Sequence, residues 1–234
     1  MDRNKVNDDL QKFWDLAIAL PEDYKQELLE AKDLDYRNFA PNEKFAIAAS
    51  ELGDCQNVLD YGCGSGWASL IIAKSGKAQV KAVDLGVKII DSAKFFARIF
   101  DLEGKMNPEV IDQDWLKKVP DNSHDGFFSS NVFDVIPLET TKEILKEVNR
   151  ILTKDAKIII GLNYYISLDN AKKANIELKE DKYLFMNGIL RLTSLSDQEW
   201  IDLFEPYFRV EKLEYFAWPG EPEARRRLFR LRKK

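Results

Sequence analysis

Cysteine is scarce in this chain of 234 residues: only Cys55 and Cys63 occur, eight apart and without the spacing of a metal site. They are expected to be reduced thiols of a cytoplasmic protein, and no metal ligand set is read. Histidine occurs once, as His124, which the order of elements below puts at the start of a strand, opposite the strand ends where ligands bind. Its reading is structural. No apolar run approaches the ~18 residues that cross a bilayer. Met1-Asp2-Arg3-Asn4 opens the chain without the apolar core of a signal peptide. Neither an internal repeat nor a low-complexity segment is present. Basic charge is not in excess: 35 Lys and Arg against 40 Asp and Glu leave a net charge of −5, which weighs against nucleic acid as a partner. The apolar content of 45% is enough for a sizeable core in one domain with additions.

The most informative stretch is Val58-Leu59-Asp60-Tyr61-Gly62-Cys63-Gly64-Ser65-Gly66. Strand-like positions run into three glycines at alternate places, and the apolar pattern of Trp67, Ala68, Leu70, Ile71 and Ile72 follows. This reads as a strand, a turn without side chains and a helix start. A ligand can lie there against bare backbone, beside the N–H groups of a helix N-terminus. The dinucleotide fingerprint G-x-G-x-x-G needs a glycine where this chain has Trp67, which discounts NAD and FAD.

Residues 5–51 read as helices, with Phe13, Leu16, Ala17 and Leu20 at helical spacing, a break at Pro21, and Pro41 just inside a third helix. From residue 57 strands and helices alternate, with strands near 57–61, 79–83, 108–111, 126–130 and 157–162 and helices near 66–75, 87–101 and 139–152. Alternation of this kind predicts βαβ units around a parallel sheet, with ligands beyond the C-terminal strand ends. Residues 163–195 interrupt the rhythm: Asp169 to Asp181 has helical composition, and Asn187-Gly188 signals a hairpin. Ser196 and Glu199 form a capping box for a helix, and strands near 209–217 and 226–232 close the chain. The basic tail from Arg225 to Lys234 reads as a final strand whose exposed edge charges deter aggregation.

Asp60-Tyr61-Gly62-Cys63-Gly64-Ser65-Gly66 resembles the first motif, D-x-G-x-G-x-G, of class I S-adenosylmethionine-dependent methyltransferases. Val80-Lys81-Ala82-Val83-Asp84 resembles their second strand, and Asp114-Trp115-Leu116 with Pro120-Asp121-Asn122-Ser123-His124-Asp125 is similar to D-W-x-x-L-P-x-x-D-x-S-F-D. Glu147 to Ile158 resembles E-x-x-R-V-L-K-P-G-G-x-L, so the resemblance spans about residues 55–162 in the family's order. His124 stands where the family usually has Phe, Asp155-Ala156 replaces a Gly-Gly turn, and Asp134-Val135 sits where many members carry Glu-His. That last departure removes a histidine base.

The resemblance implies an α/β, Rossmann-like, doubly wound sheet of seven mostly parallel strands, one of them antiparallel. Residues 1–51 would form an N-terminal helical cap, residues 52–234 the cofactor-binding domain, and residues 163–195, after strand five, a lid. S-adenosyl-L-methionine is the implied cofactor. Asp60 would orient the loop of Gly62, Gly64 and Gly66 or the ligand's ammonium; Asp84, with Leu85 beside it, would accept from the ribose diol. Asp114 would accept from the adenine amino group, with Asp112 as a rival, and Trp115 would offer its backbone N–H and ring. Ser130 and Asn131 end strand four near the expected sulfur. Asp134 is the candidate base, and Tyr164 and Tyr165 are the candidate substrate contacts. Trp14, Tyr36, Phe39, Trp67 and Phe133 fall with those tyrosines on the elements expected to roof the pocket, an aromatic wall suited to a sulfonium. The expected reaction is methyl transfer to an O, N or C nucleophile of a small molecule, by a monomer or homodimer away from membranes. The alternatives are a binding or scaffold protein that kept the fold without catalysis, and an RNA methyltransferase. The latter lacks an Asn-Pro-Pro-Tyr type motif, since Ser130-Asn131-Val132-Phe133 stands there.

Overall fold

Strands rich in apolar residues on both faces must be covered on both faces. The computed structural model of the chain describes residues 3–234 and meets that demand. In chain order the elements begin with α1 (Arg3–Ala17), α2 (Glu22–Glu30), a short 3-10 turn (Tyr36–Phe39), α3 (Glu43–Ser50), β1 (Asn57–Tyr61) and α4 (Trp67–Ser75). There follow β2 (Gln79–Asp84), α5 (Val87–Ile99), β3 (Met106–Val110), α6 (Trp115–Lys118), β4 (His124–Ser130), α7 (Leu138–Ile151) and β5 (Leu152–Leu162). The chain closes with α8 (Leu168–Lys173), β6 (Tyr183–Met186), β7 (Ile189–Thr193), α9 (Asp197–Phe204), β8 (Phe208–Phe216) and β9 (Arg226–Lys233).

A seven-stranded sheet runs β3-β2-β1-β4-β5-β9-β8, and β9 is antiparallel to both of its neighbours. The expected α/β doubly wound sheet is therefore present. Its core divides by strand alternation. Phe128, Ile159 and Leu228 pack with α3, α4 and α5 on one face. Phe127, Ile158, Ile160 and Phe229 pack with α7 and α9 on the other. The strand order reverses between β1 and β4, so a crevice opens at their C-terminal ends. β3 is an edge strand, where Pro108 is tolerated.

Several local expectations change. Pro21 begins α2 as its N-cap rather than ending α1, and Pro41 precedes Asn42, whose side chain accepts from the Phe45 N–H and caps α3. Only residues 168–173 of the polar stretch after β5 are helical. Asn175, Glu180 and Asp181 adopt positive φ, which a continuing helix does not allow. Asp155, in place of a glycine, takes φ 61° inside β5. The hairpin and the capping box form as read, with Asn187 at φ 52° and Gly188 at φ 79°, and Ser196 and Glu199 reciprocally bonded.

The basic tail is not an edge. β9 lies between β5 and β8, because its apolar residues supply both core faces. Its arginines are paired: Arg226 with Glu221 (2.6 Å), Arg230 with Glu51 (2.8 Å) and with Glu214, and Arg232 with Glu211 (3.2 Å). Arg227 is 1% exposed and donates to the carbonyls of Asn163 and Leu195.

The N-terminal helices join the sheet's own core at α3. Phe45 is fully buried, 4.5 Å from Phe216 and 5.6 Å from Trp67 between ring centroids. A Cβ on Gly161 of β5 would meet the Phe45 ring at 2.3 Å, so the strand is bare where that ring lies. α1 instead reaches across the crevice to β7, with Leu10 and Trp14 packed against Leu190. Among the described residues no helix is long and apolar enough to cross a membrane.

Candidate functional site

The floor of the crevice is backbone. After β1 the chain turns upward, and the N–H groups of Gly62 and Cys63 both donate to the Val83 carbonyl at 2.9 and 3.0 Å, tying the loop to β2. Gly62 has φ 69°, and a Cβ there would lie 2.2 Å from Val132 Cγ2, so this glycine serves the fold. Gly64 has φ 55°, and its nearest neighbour to a built Cβ is Ile18 Cγ2 at 3.5 Å, so its bare side opens towards the crevice. Gly66 donates to the Cys63 carbonyl at 3.0 Å and starts α4 as its N-cap. Cys63 is buried, which raises its thiol well above the usual range and keeps it neutral.

Two carboxyls flank this loop. Asp60 is 1% exposed and accepts from Ser69 Oγ at 2.6 Å. Burial pushes its pKa up to about 7, against the opposing pull of Ser69, and the nearby charge of Asp84 adds to the rise. Asp84 accepts from the Gly64 N–H at 3.2 Å and the Gly86 N–H at 3.1 Å. Burial raises its pKa too, and those backbone bonds oppose the rise. Among the described residues neither carboxyl meets a cation. Asp114 differs: its side chain is 67% exposed and pairs with Lys117 at 2.6 Å. Asp112 caps the turn by accepting from the Asp114 N–H at 3.0 Å and pairs with Lys118 at 2.7 Å.

A cavity of about 1040 Å³ stands over this floor. Asp60, Gly62, Gly64, Asp84, Leu85, Asp114, Ser130, Asn131 and Tyr164 all face it. Of the residues assigned to the cofactor or to catalysis, four do not. Gly66 faces α5 and β3, where Ala93 and Met106 crowd it. Trp115 packs against the core beside α6 rather than into the crevice. Tyr165 is 42% exposed and points elsewhere. Asp134 is fully buried beneath the site, where it accepts from the Asn163 N–H and lies near the Arg227 charge. Burial lifts its pKa to about 6, but the carboxyl joins loops and does not reach the cavity. Of the roofing aromatics, Trp14, Phe39 and Trp67 face the cavity, whereas Tyr36 packs on the core and Phe133 is fully buried in it.

The roof comes from α1 and the β6–β7 hairpin. Asp15 of α1 accepts from the N–H groups of Lys88 (2.8 Å) and Ile89 (3.2 Å), so it caps α5 from outside. Gln11 donates to the Leu85 carbonyl at 2.9 Å. These bonds hold α1 over the loop that follows Asp84. Sequence reasoning missed Thr140, Arg191 and Trp218, which also line the cavity. Nothing in their local sequence distinguishes them, since each is brought in by packing between remote segments. Buried polar atoms of Trp14 (Nε1), Asn131 (Oδ1), Thr140 (Oγ1) and Trp218 (Nε1) have no hydrogen-bond partner among the described residues. All four residues line this cavity, so its wall contains polar groups whose hydrogen bonds the protein does not supply.

His124 lies by a second cavity of about 670 Å³ at the opposite strand ends. It shares a 2.9 Å hydrogen bond with Ser123 Oγ, and burial lowers its pKa.

The residues present fit S-adenosylmethionine. One buried and one half-buried carboxyl without cations suit a ligand that carries an ammonium, a sulfonium and a hydroxyl pair, and Gly64 leaves room for it against the backbone. Asn131 Oδ1 is a buried acceptor in want of a donor. Residues 59–160 match the family described as a methyltransferase domain. Among solved structures, a SAM-dependent methyltransferase of Methanosarcina mazei is 20% identical with a TM-score of 0.62, over 77% of this chain and 93% of that one. The PH0226 protein of Pyrococcus horikoshii is 20% identical with a TM-score of 0.62, over 76% and 82%. The geranyl diphosphate C-methyltransferase of Streptomyces coelicolor, solved with S-adenosyl-L-homocysteine, is 10% identical with a TM-score of 0.62, over 82% and 75%. At such identities the likeness speaks for the fold. No curated protein matches the sequence. Residues 59–160 thus match a methyltransferase domain, and the shared fold and a floor that suits the cofactor support S-adenosylmethionine as its methyl donor.

Proposed function

We propose that this enzyme methylates an O, N or C nucleophile of a small organic molecule enclosed between the floor and the roof. S-adenosylmethionine supplies an electrophilic methyl group on a sulfonium. The protein's part is to bind, orient and exclude water. Asp84 accepts from the ribose hydroxyls, Asp60 sets the glycine loop and draws the ammonium, and Gly64 lets the ligand lie against the backbone. Asp114 reaches the adenine end of the cavity, while Ser130 and Asn131 stand nearer the reacting end.

With Asp134 buried away from the cavity, the residues offer positioning rather than a strong base. A well-held pair of reactants gains an effective concentration on the order of 10⁵ M or more. Dispersal of positive charge in the transition state favours the drier cavity under α1 and the hairpin. Tyr164 is the polar aromatic at the acceptor end. The guanidinium groups of Arg225 and Arg226 lie 5.7 and 5.6 Å from its ring and hold it in place.

The observation that carries this reading is one cavity in which the bare loop and Asp84 meet an apolar roof with unpartnered polar atoms. A small acceptor suits an enclosed space, and the paired arginines of β9 leave no basic face for a nucleic acid. Calorimetry with S-adenosylhomocysteine tests the cofactor half: heat and a raised melting temperature are expected, and their absence overturns it. Incubation with S-adenosylmethionine and fractionated small metabolites tests the acceptor half, read as released S-adenosylhomocysteine. Release that requires only macromolecular fractions overturns the small-molecule reading.

A further inference from the structure

Three basic residues line the main cavity: Lys117, Arg191 and Arg226. Lys117 pairs with Asp114 at 2.6 Å and Arg226 with Glu221 at 2.6 Å. Arg191 has no carboxylate partner among the described residues. Its guanidinium carbon lies instead 4.4 Å from the Phe13 ring centre and 5.1 Å from that of Trp14. Those two rings sit edge-on to each other at 4.9 Å and form a fixed backing from α1. A charge held over aromatic rings rather than paired with a carboxylate still has N–H groups to offer a ligand.

A second, independent feature lies beside it. Trp14 Nε1 is buried and has no hydrogen-bond partner among the described residues, although Trp14 lines the same cavity. Guanidinium and indole N–H are donors only, so what they lack is an acceptor. A planar guanidinium takes an oxyanion through two bonds at once, and a neighbouring N–H can add a third. Around them the wall is apolar: Leu10, Ile136 and Trp14 pack as one cluster, and Leu184 and Leu192 close the other side.

We infer that the methyl acceptor is an organic acid, an apolar body with one oxyanion head that Arg191 anchors against Phe13 and Trp14. The inference deepens the methyl-transfer reading and rests on it for the role of acceptor. Arg191 is then the residue that sets specificity, and acidic substrates are selected over their neutral analogues.

The test uses the full chain saturated with S-adenosylhomocysteine and two fluorescent probes of similar shape, anionic 8-anilinonaphthalene-1-sulfonate and neutral N-phenyl-1-naphthylamine. Arg191→Gln should weaken the sulfonate by about ten-fold or more and leave the neutral probe unchanged, while Arg191→Lys should recover part of the loss. Decanoate and decyl phosphate should displace the sulfonate, decanamide should not, and the stronger of the two acids names the head group. Equal loss of both probes in Arg191→Gln, or displacement by the amide as readily as by the acids, overturns the inference. The affinity for S-adenosylhomocysteine is read in the same samples. If the wild-type chain does not bind it, the cofactor reading fails; if all three proteins bind it equally, the probe result bears on Arg191 alone.

Discussion

The floor and the roof of the cavity are built on opposite plans. The floor is five residues of loop and the ends of two adjacent parallel strands, and what it offers is backbone and two carboxyls without cations. The roof is assembled from α1 and the β6–β7 hairpin, far apart in the chain, and what it offers is side chains. The floor is anchored by the sheet itself, through the bonds of Gly62 and Cys63 to Val83. The roof is anchored by a few polar contacts such as Asp15 on α5 and Gln11 on Leu85. A floor fixed by the sheet suits a cofactor common to a whole family. A roof hung on side chains is where specificity for one acceptor can change without disturbing the fold.

Breaking the floor should have the largest effect. Gly62→Ala places a Cβ in a left-handed position against Val132, and a loss of about 3 kcal/mol in unfolding free energy is expected by denaturant titration. Gly64→Ala sharpens the contrast: strain alone should remove about 1 kcal/mol, yet affinity for S-adenosylhomocysteine should fall by about ten-fold or more, because its bare side meets the cavity rather than protein. Equal effects of the two substitutions on stability would contradict the division between a glycine for the fold and one for the ligand.

Asp84→Asn keeps the shape and removes the charge. Calorimetry should show S-adenosylhomocysteine bound about 10- to 100-fold more weakly, with the melting temperature of the free protein unchanged or raised, since a carboxyl buried without a cation is relieved. Unchanged affinity would remove Asp84 from the ribose site.

Two buried carboxyls, one in the floor and one beneath it, should also register in pH. Asp60 and Asp134 hold their protons up to about pH 7 and about pH 6, against ~4 for an unfolded aspartate. The folded chain binds these protons more tightly, so their contribution to stability is complete below about pH 4 and is lost as the pH rises towards 7. Melting of the ligand-free protein across that window should show the fall, and Asp60→Asn should flatten its upper part. The affinity for S-adenosylhomocysteine, whose amine is cationic, should rise over the same window. A profile that Asp60→Asn leaves intact would show that this carboxyl is not held neutral.

The roof should yield the smallest change in ligand binding. Asp15→Ala removes the outside cap of α5 and is expected to lower unfolding free energy by about 1 kcal/mol. Stopped-flow release of S-adenosylhomocysteine should become several-fold faster, with the floor's hydrogen bonds untouched. No change in release rate would mean that α1 does not close the site.

Much of this molecule is legible in its residues alone, and the legible parts are local. The glycine loop, the acid that ends β2, the hairpin at Asn187-Gly188 and the capping box at Ser196 each depend on neighbours within a few positions. Misreadings arose where a distant segment decides. Asp134 sits at the end of β4 like a candidate base, but β5 and β9 close over it and enlist it as a bond acceptor for Asn163. The tail from Arg225 looks like a charged edge, but β8 flanks it and glutamates from three other segments neutralise its arginines. Arg191 lies between Leu190 and Leu192 and carries no local sign of a site, because its backing rings come from α1.

By itself the sequence determined the order of strands and helices, the bare turn at Gly62 to Gly66 and the carboxyl at Asp84, because periodicity and backbone preference act within a few residues. Tertiary structure alone decided which aromatics roof the cavity, which carboxyls are held without a cation, and that Arg191 faces the cavity. Those outcomes depend on which remote surfaces meet, and on the charge and hydrogen bonds that each surface brings to the other.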